Sequence, residues 1–434
     1  MFQKLIDYFN NRSVLILGFG REGRSTYDFI RKYLPEKQLA IADLRSISLD
    51  DEHVELWMGG NYLDAVNHYD LVMQSPGVSL RSVDIAAKTE ISGQTDLFLR
   101  FAPCEKIGIT GTKGKSTTSS LIYEILRAAG KPACLVGNIG VPVFDCLEDI
   151  NGKTAVMEMS SHQLESAKAS PHIAVITNFY PEHLDHYNGF EGYVSAKLNI
   201  LRFQTDRDFL IYNPDQNTEE FFDLAAVKAQ KIPVSCLDGD KSEFLRKLTG
   251  LNERLKGKHN HQDIFFAAAA ARCLGINDRA IEEGIAQFKG IPHRMEPVGV
   301  YSGIMFYNDS IATIPASVTA AVEALETVNS LIIGGMDRGI DYSGFLRDLE
   351  ASGIENLICL PDTGHSIGRE LAGKGSKMKI VFADDMEKAV SLAFELTEKG
   401  KICLLSPAAS SYNRYKDFTE RGEHFKRLVR EFKG

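Results

Sequence analysis

Short apolar runs punctuate this chain, most closing on glycine, serine or an acidic residue, and helical patterns fill the intervals between them. Ser13-Val-Leu-Ile-Leu17 runs into Gly18-Phe-Gly20-Arg-Glu-Gly23, Leu39-Ala-Ile-Ala42 ends in Asp43, and Leu71-Val-Met-Gln74 leads to Ser75-Pro-Gly77. Lys106-Ile-Gly-Ile-Thr110 stops at Gly111, Ala155-Val-Met157 at Glu158, and Ile173-Ala-Val-Ile176 runs on to Asn178. The pattern begins again with Leu331-Ile-Ile333, Leu357-Ile-Cys-Leu360, Lys379-Ile-Val-Phe382 and Ile402-Cys-Leu-Leu405. Runs that are apolar throughout, without alternation, predict strands buried on both faces of a parallel sheet. Strands alternating with helices predict an α/β chain. Three domains are expected: a Rossmann-like one over 1–100, a central P-loop ATPase-like parallel sheet over 101–295, and a second Rossmann-like one over 296–434. No repeat or low-complexity stretch interrupts them.

Two helical patterns carry chemistry. After Gly114-Lys115-Ser116, residues Leu121, Ile122, Ile125 and Leu126 share a face and Gly130 marks the stop. In Tyr193–Leu201, Val194, Lys197, Leu198 and Leu201 fall on one face. A lysine on the apolar side of a helix ordinarily snorkels to water. The alternative is a desolvated amine that captures CO₂ as a carbamate and shares a metal with His183.

Composition narrows the class. A chain of 434 residues fits about three domains of ordinary size. With 44% apolar and 25% charged residues it is neither disordered nor fibrous. A formal charge of −9 without a basic block argues against nucleic-acid or membrane partners, so anionic substrates must meet local sites. The seven cysteines are scattered with no C-x-x-C pair, which fits a reducing compartment. The first residues lack the pattern of a signal peptide, and no run approaches the length of a membrane span. A cytoplasmic protein is expected.

Lys106 to Thr117 is the most informative stretch. Strand, glycine-bearing loop, Lys115-Ser116 and helix form a phosphate cradle, with backbone N–H groups on the anion, Lys115 at the terminal phosphates and Ser116 on Mg²⁺. The common spacing would place glycine at 109, which is Ile; here the glycine is Gly111. Glu158, at the end of a buried strand, stands where Mg²⁺ is usually held beside such a loop. Near the N-terminus, Gly18, Gly20 and Gly23 with Asp43 twenty residues on fit a Rossmann-type nucleotide site. That motif alone leaves NAD(P), another nucleotide and plain structural glycines all open.

As a set these residues resemble a family. Gly111-Thr-x-Gly-Lys-Ser, Glu158-x-Ser-Ser-x-Gln-Leu-Glu, His183-Leu-Asp, Ala196-Lys197, Gly257-x-His259-Asn260, Pro292-His-Arg294-Met-Glu and Asn308-Asp309-Ser310 occur in the order seen in the Mur ligases. Within that family the Gly137-Asn138-Ile-Gly140 turn, Leu404-Leu-Ser-Pro-Ala and the N-terminal G-x-G-x-x-G are most like the glutamate-adding type. The resemblance implies ATP as co-substrate, two Mg²⁺ sites, and a monomer that joins glutamate to UDP-N-acetylmuramoyl-L-alanine through an acyl phosphate. It implies that Gly18, Phe19, Gly20, Arg21, Asp43, Leu44, Arg45, Ser75 and Asn138 hold the UDP substrate, which removes the NAD reading. ATP would meet Gly111, Thr112, Lys113, Gly114, Lys115, Ser116, Thr117, Arg294 and Asp309. Metal would lie on Ser116, Glu158, His183 and carbamylated Lys197, and these last three with Lys115 would be catalytic. Thr313, Arg338, Ser411 and Phe418 would hold glutamate.

Three positions depart from the family pattern. Ile311 replaces a lysine, Asp263 replaces an asparagine expected at the adenine, and Lys113 stands where asparagine is common. The Asp309-Ser-Ile311-x-Thr313 variant resembles a smaller subgroup that adds L-glutamate. L-glutamate is therefore the expected acceptor, with D-glutamate as the alternative. A folylpolyglutamate or cyanophycin type of ligase fits the N-terminal domain poorly. A nonligating nucleotide-binding module would have no need of a second metal.

Overall fold

The computed structural model describes residues 2–182, 186–187, 189–216, 220–235, 243–255, 257–325, 327–337 and 339–432. His183 and Arg338, expected at the metal and the glutamate, lie outside the described residues. The chain packs as two compact units, residues 1–289 and 290–434.

The first unit holds two parallel sheets. In the first sheet, β1 (Val14–Leu17), β2 (Leu39–Asp43), β3 (Val54–Met58), β4 (Leu71–Gln74) and β5 (Glu90–Ser92) take the order β3-β2-β1-β4-β5. The side chains of β1, covered on both faces, are all fully buried, which is why its sequence shows no polar alternation. The edge strand β3 keeps every residue at least partly exposed, so its pattern carries little signal.

The second sheet contains β6 (Glu105–Thr110), β7 (Ala133–Gly137), β8 (Thr154–Glu158), β9 (Ile173–Ile176), β10 (Phe209–Tyr212) and β11 (Gln230–Pro233), ordered β11-β10-β9-β6-β8-β7. Every neighbouring pair is parallel. Their C-terminal ends therefore open on one edge: Ile109 and Gly137 both lie opposite Glu158, and Thr110 lies opposite Ile176. Such an edge is where open α/β sheets bind ligands.

Helix Lys115–Ala128 packs against helices Lys258–Cys273 and Asp278–Gln287. Close approach at the second of these contacts depends on Gly284, where a Cβ would lie 2.5 Å from Ile125 Cα and 2.8 Å from Ile125 N. Main chain in mid-helix cannot yield as a side-chain tip can. Gly284→Ala is expected to cost ~1–3 kcal/mol by overpacking. A lower urea midpoint with an unchanged slope would show it, whereas an unchanged midpoint would mean the helices separate freely.

The second unit holds one six-stranded sheet: β12 (Glu296–Tyr301), β13 (Ile304–Asn308), β14 (Val328–Ile333), β15 (Asn356–Cys359), β16 (Lys379–Phe382) and β17 (Ile402–Leu405), ordered β12-β13-β17-β14-β15-β16. It differs from the expected doubly wound sheet at one edge, where β12 runs antiparallel to β13. β12 shows no continuous apolar run and none of its residues is fully buried, whereas β13 is apolar from Ile304 to Tyr307 although its positions alternate buried and half-exposed. Among the described residues no helix is long and apolar enough to cross a membrane.

Candidate active site

At the end of β6 the chain turns through a loop that only glycine can serve at two points. Gly111 and Gly114 have φ of +140° and +85°. A Cβ on Gly111 would sit 1.9 Å from Thr177 Oγ1, and one on Gly114 would sit 2.4 Å from Asp263 Oδ1. The end of β9 holds one side of the loop. Asn178 O accepts from Thr112 N (2.9 Å), Asn178 Oδ1 accepts from Lys113 N (2.8 Å), and Thr177 Oγ1 donates to Lys113 O (2.6 Å). The helix that follows presents its first N–H groups, which have no intrahelical acceptor, at the sheet edge. The exposed Lys113 side chain pairs with Glu182 at 2.5 Å.

Two lysines meet at this loop. Lys115 Nζ donates to Gly111 O (3.0 Å) and Thr112 O (2.9 Å), and Lys197 Nζ donates to the same Gly111 O at 2.8 Å. Lys197 is only 2% exposed. Burial, and then the charge of Lys115, pull its ammonium down to about 6. Near neutrality its amine is therefore mostly uncharged and nucleophilic.

Glu158, also 2% exposed, ends β8 beside the loop. Its Oε1 accepts from Asn138 Nδ2 at 2.5 Å, while Oε2 is buried without a hydrogen-bond partner among the described residues. An orphaned carboxylate oxygen at a sheet edge beside a phosphate loop suits a hard cation such as Mg²⁺. Ser116 stands in the first turn of the helix, half-buried. Among the described residues no three His, Cys, Asp or Glu side chains converge on one point.

On the first sheet, Asp43 Oδ2 accepts from Phe19 N (2.7 Å) and Oδ1 from Arg45 N (2.8 Å), and Arg45 Nε lies 3.2 Å from Oδ1. Burial pushes the Asp43 carboxyl up, but hydrogen bonds from Arg45 and Phe19 outweigh it and hold the group below the usual carboxylate range. Ser75 Oγ donates to Gly18 O at 2.7 Å, and a Cβ on Gly23 would strike Gly18 O at 2.0 Å, so the turn is tight. Phe19 is buried, its ring edge-on to Tyr27, while Gly20 and Leu44 are open to solvent. Arg21 reaches away from this turn to the carbonyls of Gly137, Asn138 and Gly140.

In the second unit, Asp309 follows β13. Its Oδ2 accepts from Ser406 Oγ (2.7 Å) and its Oδ1 from Met295 N (3.1 Å). Burial raises its carboxyl to about 6 against those hydrogen bonds and the charge of Arg294, itself exposed. Arg421, 1% exposed, donates to Ser310 Oγ (3.0 Å), Ser310 O (2.8 Å) and Ala409 O (3.0 Å), and Ser310 Oγ donates to Phe418 O (2.8 Å). Ser411 is buried, and Thr313 and Phe418 are half-buried.

Sequence reasoning missed Arg421 and Asn178, whose side chains work through main-chain carbonyls and amides that no spacing reveals. At Asp263 the chain departs from the asparagine that the family pattern expects at the adenine. The structure puts this residue against Gly114, with Thr118 Oγ1 donating to its Oδ1 at 3.1 Å. Burial raises the Asp263 carboxyl to about 8, opposed only by the Thr118 and Thr117 hydroxyls. A cleft of about 800 Å³ opens at the opposite edge of the second sheet. Two of its cations serve local acceptors: Arg100 meets Glu90 and Asp96, and Lys106 meets the carbonyls of Ala102 and Cys104.

Residues 109–271 match the Mur ligase middle domain and 293–409 the Mur ligase glutamate ligase domain. A protein of Symbiobacterium thermophilum named UDP-N-acetylmuramoylalanine–D-glutamate ligase is 38% identical over 87% of this chain and 87% of its own length. One of the same name from Clostridium botulinum is 33% identical over 99% and 98%. Among solved structures, the UDP-N-acetylmuramate–alanine ligase of Thermotoga maritima superposes with a TM-score of 0.58 at 17% identity, over 96% of this chain and 99% of that one, which speaks for the fold. The chain belongs to the Mur ligase family and is an ATP-dependent ligase.

Proposed function

We propose that this chain joins D-glutamate to UDP-N-acetylmuramoyl-L-alanine in the cytoplasm, forming ADP and phosphate as it builds a peptidoglycan precursor. One observation carries the reading: the glycine loop, Lys115, Lys197 and the unpartnered Glu158 Oε2 share one edge of the second sheet. Names of the relatives that match nearly the whole chain support D-glutamate over the expected L-glutamate. Nor does Ile311 supply a physical basis for the L isomer. Ile311 is half-buried with its N–H on His293 O, and an apolar side chain offers no charge to select the hand of an acceptor.

In this reading the alanyl carboxylate attacks the γ-phosphate of ATP, and the glutamate amine then attacks the acyl phosphate through a tetrahedral intermediate that expels phosphate. The loop N–H groups and Lys115 cradle the triphosphate and offset the repulsion between it and the incoming carboxylate. Ser116 and Glu158 would hold one Mg²⁺ and carbamylated Lys197 with His183 a second, and such ions supply further charge neutralisation. Asp43 and the turn at Gly18 would receive the UDP moiety, the carboxylate meeting a hydroxyl of the nucleoside. Thr313, Arg338, Ser411 and Phe418 would seat glutamate, with Arg294 and Asp309 on the ATP nucleoside. The three sheets would then divide the labour among three domains.

Phosphate release from UDP-N-acetylmuramoyl-L-alanine, ATP and Mg²⁺ with each pure glutamate enantiomer tests the proposal. Inverting Cα moves the amine while both carboxylates stay anchored, and a misplacement near 1 Å costs about 10²-fold, so turnover should favour the D form at least about tenfold. Equal or better turnover with L-glutamate would reverse the choice of acceptor. No phosphate release with either would refute the substrate assignment.

A further inference from the structure

Both side chains that open helix Arg21–Tyr33 leave the nucleotide turn and reach the two segments that flank Glu158. Arg21 Nη2 donates to Gly137 O (2.7 Å) and Asn138 O (3.3 Å), and Nη1 donates to Gly140 O (3.3 Å). The same turn grips Glu158: Asn138 N donates to Glu158 O (2.9 Å) and Asn138 Nδ2 to Glu158 Oε1 (2.5 Å). The turn itself leaves little slack. Gly137 and Gly140 have φ of +100° and +78°, and a Cβ on either would strike main-chain oxygen, Glu158 O at 2.4 Å or Leu135 O at 2.1 Å. On the other side of Glu158, Glu22 Oε1 accepts from Gln163 Nε2 (2.6 Å), and Gln163 Oε1 accepts from Ser160 N (2.9 Å), two residues beyond the carboxylate.

We infer that Arg21 and Glu22 are positioning residues that aim Glu158 Oε2 at its cation, and that the Arg21 side chain is not a ligand of the UDP substrate. This rests on the reading of Glu158 as a metal ligand. Arginine suits the task because a planar fork reaches three carbonyls at once, whereas a lysine ammonium is a single point on a flexible stem. With one carboxylate oxygen tied to Asn138, the other is left free and fixed in direction. Partners that orient a metal-ligating group in this way typically contribute 10–100-fold to metal affinity.

Two binding constants separate the possibilities: Mn²⁺ titrated into protein saturated with ADP, and UDP-N-acetylmuramoyl-L-alanine titrated calorimetrically without metal. Arg21→Ala and Arg21→Lys should each weaken Mn²⁺ by about tenfold or more while the UDP substrate stays within about threefold. Glu22→Gln should weaken Mn²⁺ less, since its amide can still accept from Gln163. Should Arg21→Ala fail to fold, Arg21→Lys combined with Asn138→Ala decides, because two breaks in one chain of contacts lose no more than Asn138→Ala alone. Tenfold weaker UDP-substrate binding with Mn²⁺ unchanged would overturn the inference, as would no change in either constant or additive losses in the double variant. If the unaltered chain binds no Mn²⁺ with ADP, the metal reading of Glu158 fails first and this inference with it.

Discussion

Lys115→Ala is expected to lower kcat by roughly 10³-fold or more, because a cation on a transferring phosphoryl group is worth several kcal/mol in a water-excluded site. The side chain is already at the loop, its Nζ resting on the carbonyls of Gly111 and Thr112. Reaching a phosphate asks it to exchange two neutral acceptors for an anion, not to order itself from solvent. Single-turnover phosphate release measures the effect, and Lys115→Arg should restore little, since the broader guanidinium does not fit where a point charge sat. A loss below tenfold in a folded variant would remove Lys115 from the chemistry.

The second large effect is expected at Lys197. Carbamate formation requires a neutral amine, and burial beside Lys115 brings the Lys197 pKa to about 6. Lys197→Ala should be nearly inactive and partly rescued by short-chain carboxylates, which supply the anion that the carbamate would provide. The sign of the pH dependence follows from the lowered pKa. Above about pH 6 the amine is mostly neutral and can take up CO₂; as pH falls through that value it protonates and the adduct is lost. A variant with normal activity in CO₂-depleted buffer would refute the carbamate, as would a rescue that ammonium salts perform equally well.

What could be read beforehand, and what could not, divides along physical lines. Strands β1, β8 and β9 were legible because they are buried on both faces and so apolar throughout. Two edges were not: β3 and β12 keep their residues partly exposed and carry polar residues or glycine among the apolar ones. The equally exposed edge β16 was legible because Ile380-Val-Phe382 is apolar throughout. In the site, Lys197 was legible because helical periodicity put a charge on an apolar face. Its acceptor, Gly111 O, lies 86 positions away, and nothing in the local pattern announces such a partner. Asp263 is the sharper case. The family pattern expects an asparagine at this position, and the packing of helix Lys258–Cys273 on helix Lys115–Ala128 sets the Asp263 carboxyl against Gly114. Arg21 likewise sits in a nucleotide-binding motif, yet its guanidinium is committed to carbonyls more than a hundred residues later.

The phosphate loop is clamped between Thr177 and Asn178, just past the end of β9, and Asp263 on one helix, with Gly111 and Gly114 packed too closely for any side chain. A loop so held has surrendered its conformational freedom during folding. Nucleotide binding then spends none of its free energy on ordering those residues, and what remains to be ordered is the ligand alone. The affinity of this loop is thus set by how its donors match the phosphates, and evolution could tune it only by changing those donors, since the backbone that carries them has no second shape to offer.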